Sequence, residues 1–229
     1  MPNGFQKLRD QSGMTLIELL VAMAISGLIL GAIFTLFQTH QRMAIRQSQT
    51  ALMQQELLSA ISLISNDLRM CGFSAHAAPG FGFSHRPGTG APDYGRTTTS
   101  SSVYCTQDMN ADGVANEDDS GSLREHAGFR LNVANDGSAK SEPDNVLRKY
   151  DTGTVHWQPV NTNIGDLSFT YFNKRGDIIE DSPPDTQSIR GVLVRITAIP
   201  SPSHAGMGIG NSTMSAMVWC RNTDMDKTP

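Results

Sequence analysis

Apolar positions dominate the chain from Met14 to Phe37, MTLIELLVAMAISGLILGAIFTLF. As a helix this run of roughly 24 residues spans on the order of 36 Å, against about 30 Å of hydrocarbon in a bilayer. It predicts a membrane helix. A cleavable secretory signal carries an apolar stretch of about 7 to 15 residues ending at a small-x-small site. Ala22-Met23-Ala24 supplies such a site, but more apolar chain follows it. Lys7 and Arg9 precede the span and Arg42 and Arg46 follow it, so positive charge gives little preference of orientation. The short leading arm is the side more easily kept in the cytoplasm.

Beyond Phe37 the pattern becomes amphipathic, with apolar Ile45, Leu52, Met53, Leu57, Ile61, Ile64 and Leu68 at helical intervals. After Gly31 no Gly or Pro occurs until Gly72, which supplies a C-terminal stop behind Arg69. Residues 14–71 therefore predict one nearly continuous helix, on the order of 85 Å long, whose second half packs on a globular head. Residues 75–102 are rich in Gly, Pro, Ser and Thr and read as a long surface loop. Strands are expected around residues 128–134, 145–151, 155–160, 167–172, 191–199 and 215–220, and Val103-Tyr104-Cys105 also reads as strand. Asn135-Asp136-Gly137 and Asn173-Lys174-Arg175-Gly176 mark turns. A long helix with an antiparallel sheet is an α+β head on a membrane stalk.

Charge and composition narrow the function. With 18 Lys+Arg against 22 Asp+Glu in 229 residues, the net charge of −4 leaves no basic excess for a phosphate backbone, and nucleic acid is not expected as a partner. Only 17% of residues are charged while the mean hydropathy is −0.27, so neutral polar residues make up the difference, as in exported β-rich domains. Cys71, Cys105 and Cys220 lie too far apart for a C-x-x-C site, which leaves zinc and thioredoxin-type chemistry without support. Export places the head in an oxidising compartment, and Cys105 with Cys220 is the expected disulfide because Cys71 ends a helix already anchored by packing.

Glu18 is the only charge in the apolar run. A carboxylate within a membrane helix costs about 2.5 kcal/mol or more on insertion scales unless it is paired or near an interface. One use is a first-turn acid favoured by the helix macrodipole. The flanking residues supply another. Ser12-Gly13 followed by Met14-Thr15-Leu16-Ile17-Glu18-Leu19-Leu20-Val21-Ala22 resembles the processing site of type IV prepilins and type II secretion pseudopilins. That resemblance implies a basic leader ending at Gly13, cleavage by a membrane-embedded prepilin peptidase, methylation of the new N-terminus at Met14, and Glu18 neutralising the amine of a neighbouring subunit. Met14 departs from the Phe more common in that family. Gly27 and Gly31 form a G-x-x-x-G pair through which a helix backbone can approach closely, and helix softening is the equal alternative. Asn66-Asp67-Leu68-Arg69-Met70-Cys71-Gly72-Phe73 resembles the helix end of PilW-type minor pilins and of the minor pseudopilin J of type II secretion.

The resemblance implies a pilin-like fold with a leader at 1–13, a transmembrane helix at 14–37, an amphipathic helix at 38–72 and a β-rich head at 73–229. It implies a minor pilin or pseudopilin: a non-enzymatic assembly subunit in the bacterial inner membrane, its head in the periplasm, joining other minor and major subunits in a filament. The alternative class is an enzyme or calcium-dependent ligand-binding module held by an uncleaved signal anchor.

Catalytic patterns fail on inspection. Gly82-Phe83-Ser84-His85-Arg86 lacks the second Gly of a nucleophile elbow, Gly206-Met207-Gly208-Ile209-Gly210 lacks the spacing and following helix of a phosphate site, and no H-E-x-x-H occurs among the six histidines. One stretch remains. Residues 108–119, DMNADGVANEDD, place oxygen donors at calcium-loop positions, with Gly113 where the chain must turn sharply. The expected ligands are Asp108, Asn110, Asp112, the Val114 carbonyl, Asn116 and Asp119, with calcium as a structural ion. The pattern is similar to the D-x-N-x-D-G-x-x-N-x-x-D loop of dockerins, although no helix pair is expected to frame it.

Overall fold

The computed structural model of the chain describes residues 14–75, 80–86, 96–113, 125–132, 145–150 and 157–224. Its first element is α1, a helix over Leu16–Met70. Nine strands follow among the described residues: β1 (His85–Arg86), β2 (Arg96–Thr97), β3 (Ser102–Thr106), β4 (His126–Asn132), β5 (Val146–Tyr150), β6 (Trp157–Asn161), β7 (Ile164–Phe172), β8 (Gly191–Ala198) and β9 (Ser212–Trp219). All pair antiparallel, in a two-stranded β1-β2 sheet, a four-stranded sheet ordered β3-β4-β5-β6 and a three-stranded sheet ordered β7-β8-β9. The architecture is α+β and pilin-like, a long apolar N-terminal helix followed by antiparallel sheets. The strands expected from alternation are present within a few residues. The stretch expected to be loop up to residue 102 holds β1 and β2, and a 3-10 turn over Pro202–Met207 enters the glycine-rich stretch before β9.

Contacts divide the chain into two compact units, residues 1–47 and 48–229. In the first, every described residue is exposed, including Leu16, Leu20, Leu28, Ile33 and Phe37. No soluble fold would leave so long a helix with large apolar side chains on all faces.

The second unit begins with the last turns of α1. Met53, Leu57, Ala60, Ile64 and Leu68, at spacings of three and four residues, are buried. They join one core with Val103 and Cys105 of β3, Ala127 and Phe129 of β4, Leu147 of β5, Leu167, Phe169 and Tyr171 of β7, and Val192, Val194 and Ile196 of β8. The period of two places these strand residues on one face of each sheet. The alternate residues of the four-stranded sheet form a separate aromatic cluster, Tyr104, Tyr150 and Trp157, with Tyr150 edge-on to both partners. On β9, the alternate residues Met217 and Trp219 are exposed. The two larger sheets are linked by hydrogen bonds: the Tyr171 hydroxyl donates to the Thr99 and Ser102 carbonyls at 2.7 and 3.0 Å, and Phe169 N–H donates to the Ser100 carbonyl at 2.8 Å.

Two contacts fix the end of α1. Gly72 takes a left-handed φ of +76°, and its N–H donates to the Thr106 carbonyl at 3.0 Å, so the chain leaves the helix alongside β3. Asn222 Nδ2 donates to the Arg69 carbonyl at 3.1 Å, satisfying one of the orphan acceptors of the last turn. The helix ends at Met70, where Gly72 and Arg69 predict.

Candidate functional site

The start of α1 is built from a four-residue sequence, Thr15-Leu16-Ile17-Glu18. Glu18 Oε2 accepts from the Thr15 backbone N–H at 2.8 Å and from its hydroxyl at 3.0 Å, and the Glu18 N–H donates back to Thr15 Oγ1 at 3.4 Å. This reciprocal pair is a capping box, which satisfies donors that a helix N-terminus otherwise leaves open. Glu18 also stands in the first turn, where the macrodipole favours an anion. Its carboxylate thus has a partner within its own chain. Met14, beside the cap, is 71% exposed; Gly13 lies outside the described residues. Further along, Gly27 and Gly31 are exposed, and a Cβ added at either would meet nothing within 4 Å. That face is open to close approach.

In the second unit, the β3–β4 connection carries the acidic residues. Asp108 is fully buried two residues past β3: its N–H donates to the Phe73 carbonyl at 2.7 Å and its Oδ2 accepts from the Ser74 hydroxyl at 3.2 Å. Asn110 and Asp112 hold each other through paired 2.9 Å hydrogen bonds, and Gly113 takes a φ of +72°, the sharp turn that its place in the motif demands. Carboxylate oxygens of Asp108, Asp112 and Glu125 lie within 4.8 Å of one another. The expected ligands Val114, Asn116 and Asp119 lie outside the described residues. Glu125 is absent from the sequence motif because it enters from the far side of the connection, next to the first residue of β4.

Cys71, Cys105 and Cys220 are buried thiols outside any disulfide, so the Cys105–Cys220 bridge expected from export is not formed in the structure. Burial, followed by the Cys105 charge, raises the Cys220 thiol to about 12, with Arg190 opposing. Burial also raises the Tyr171 hydroxyl well above its ordinary value, and Cys71 and Cys105 add to it.

A family model for the prokaryotic N-terminal methylation motif matches residues 8–34. The chain has the N-terminus of a type IV pilin-type precursor. The match covers Gly13 and Met14, the capping box and both glycines of the G-x-x-x-G pair. Comparison with curated proteins and with solved structures finds no match. The motif implies a prepilin peptidase substrate that assembles with other pilins, and the exposed apolar helix that it enters is long enough to cross a membrane.

Proposed function

We propose that the protein is a minor pilin or pseudopilin, a non-enzymatic subunit that is processed after Gly13 and enters a type IV pilus or type II secretion filament. The observation that carries this reading is the methylation motif running directly into an apolar helix that is exposed on all sides. A side chain such as Leu28, 77% exposed, gains stabilisation only from lipid or from other helices. Lipid serves before assembly and neighbouring subunits after it. The minor-subunit assignment rests on residues 66–73, whose likeness to PilW-type minor pilins and to pseudopilin J falls where α1 closes onto the head. On this reading the head resides in the periplasm, Glu18 meets the methylated amine of a neighbour, and Gly27 and Gly31 line the helix contact.

The test is processing. Cleavage between Gly13 and Met14 leaves 229 − 13 = 216 residues. In a host expressing prepilin peptidase, intact-mass analysis should find the 216-residue chain with an N-methylated Met14, and a host without the enzyme should retain the precursor. Gly13→Val should block the cut. A mature start elsewhere, or normal maturation of Gly13→Val, would reject the assignment.

A further inference from the structure

We infer that Asp108, Asp112 and Glu125 form a calcium site at the base of the β3–β4 connection, clamping the exit of α1 to the four-stranded sheet. The inference is independent of pilin-type processing, since it uses only residues of the second unit. Three oxygen ligands converge there, one carboxylate from each residue, all within 4.8 Å. Asp108 and Glu125 are fully buried, whereas Asp112 is exposed.

A surface acidic cluster lacks the next feature. Among the described residues, Asp108 Oδ1 is buried and accepts no hydrogen bond, while Oδ2 takes the Ser74 hydroxyl. An ionised oxygen removed from water needs a compensating charge or donor. A cation among the three carboxylates supplies it and also offsets their mutual repulsion.

The backbone prepares the site. Gln107 N–H donates to the Glu125 carbonyl at 2.8 Å, one residue beyond the Thr106–His126 pair of the β3–β4 ladder. Asp108 N–H is fixed on the Phe73 carbonyl, just past the end of α1. Both buried acids are therefore positioned by main-chain bonds. The Asx-type pair of Asn110 and Asp112 brings the third carboxylate back toward the strand ends.

The ligand set selects the ion. Oxygens without nitrogen or sulfur suit a hard cation. Calcium takes oxygen ligands at about 2.3–2.6 Å in flexible geometry, whereas magnesium at about 2.0–2.1 Å demands a strict octahedron. Three carboxylates brought together by a loop and a strand end, one of them exposed, suit the more permissive ion.

The full chain in detergent, titrated with calcium by calorimetry, should bind one ion per chain with a Kd on the order of 10⁻⁴ M, the range of extracellular modules. Its melting temperature should rise at millimolar calcium. Glu125→Gln and Asp112→Asn should each weaken binding at least tenfold. Asp166→Asn, an exposed acid on β7, should leave it unchanged. Asp112 is exposed, so its variant reports on the ion even if Glu125→Gln fails to fold. Absence of heat and of any melting shift in the native chain would overturn the inference. So would unchanged affinity in folded Asp112→Asn, or magnesium binding as tightly as calcium.

Discussion

At the scale of single residues, the Glu18 carboxylate has two uses that are separable by mutation. In one chain it closes the capping box with Thr15, and in the proposed filament it meets a second chain's amine. Thr15→Val removes the hydroxyl from the box yet keeps the negative charge. If assembly depends on that charge, Thr15→Val should enter filaments at close to the native level, while Glu18→Ala inserts in the membrane and enters filaments poorly. Fractionation of membrane and filament pools measures both, and equal losses would assign the role of Glu18 to capping. Cys220 offers a different handle. The folded chain holds its proton up to about pH 12, whereas an ordinary thiol near 9.0 loses it earlier. Stability is therefore intact below about pH 9 and falls as pH rises toward 12, by roughly a few kcal/mol. Urea midpoints at pH 8 and about pH 10.5 should differ less in Cys220→Ala than in the native chain. For the same reason Cys220 should resist iodoacetamide until the protein unfolds.

Elements show how local chemistry and distant packing divide the work. The C-terminal end of α1 depends on Gly72 at φ +76°, where an added Cβ would stand 3.1 Å from Thr223 Cγ2. Gly72→Ala should destabilise the head by about 1–2 kcal/mol from the left-handed conformation alone. In β4, a Cβ at Gly128 would meet Tyr104 Cδ2 at 2.8 Å, Tyr150 Cβ at 3.1 Å and Trp157 Cη2 at 3.2 Å. Gly128→Ala should therefore cost about 1–3 kcal/mol by overpacking the aromatic cluster, read as a lower denaturant midpoint. The helix and the longer strands were legible in the sequence because their periods of 3.6 and 2 persist over many residues, as in Leu57-Ile61-Ile64-Leu68 and in Val192-Val194-Ile196. The two-residue strands β1 and β2 are too short to establish a period. The N-terminal methylation motif was equally readable because its residues are neighbours in the chain, although the Thr15–Glu18 capping box was not read from them. Glu125 was not, because only the closing of β3 against β4 brings it to Asp108.

For the molecule as a whole, the two halves of α1 face different surroundings with one backbone. Every buried residue of the helix, from Met53 to Leu68, belongs to the unit beginning at Ser48. A chain starting at Ser48 should fold and stay soluble, whereas one starting at Gly72 removes Leu57, Ala60 and Ile64 from the core and should aggregate. Within the longer fragment, Ile64→Ala should lower stability by about 2–5 kcal/mol. The burial of the two tryptophans then has an optical consequence. Trp157 is 8% exposed within the aromatic cluster of the four-stranded sheet, and Trp219 is 51% exposed on the edge strand β9 of the other. Emission from the folded head should resolve into a blue component shielded from acrylamide and a red component open to quenching. Trp219→Phe should leave only the shielded one, giving each sheet its own fluorescent reporter and letting a single titration follow whether the two melt together.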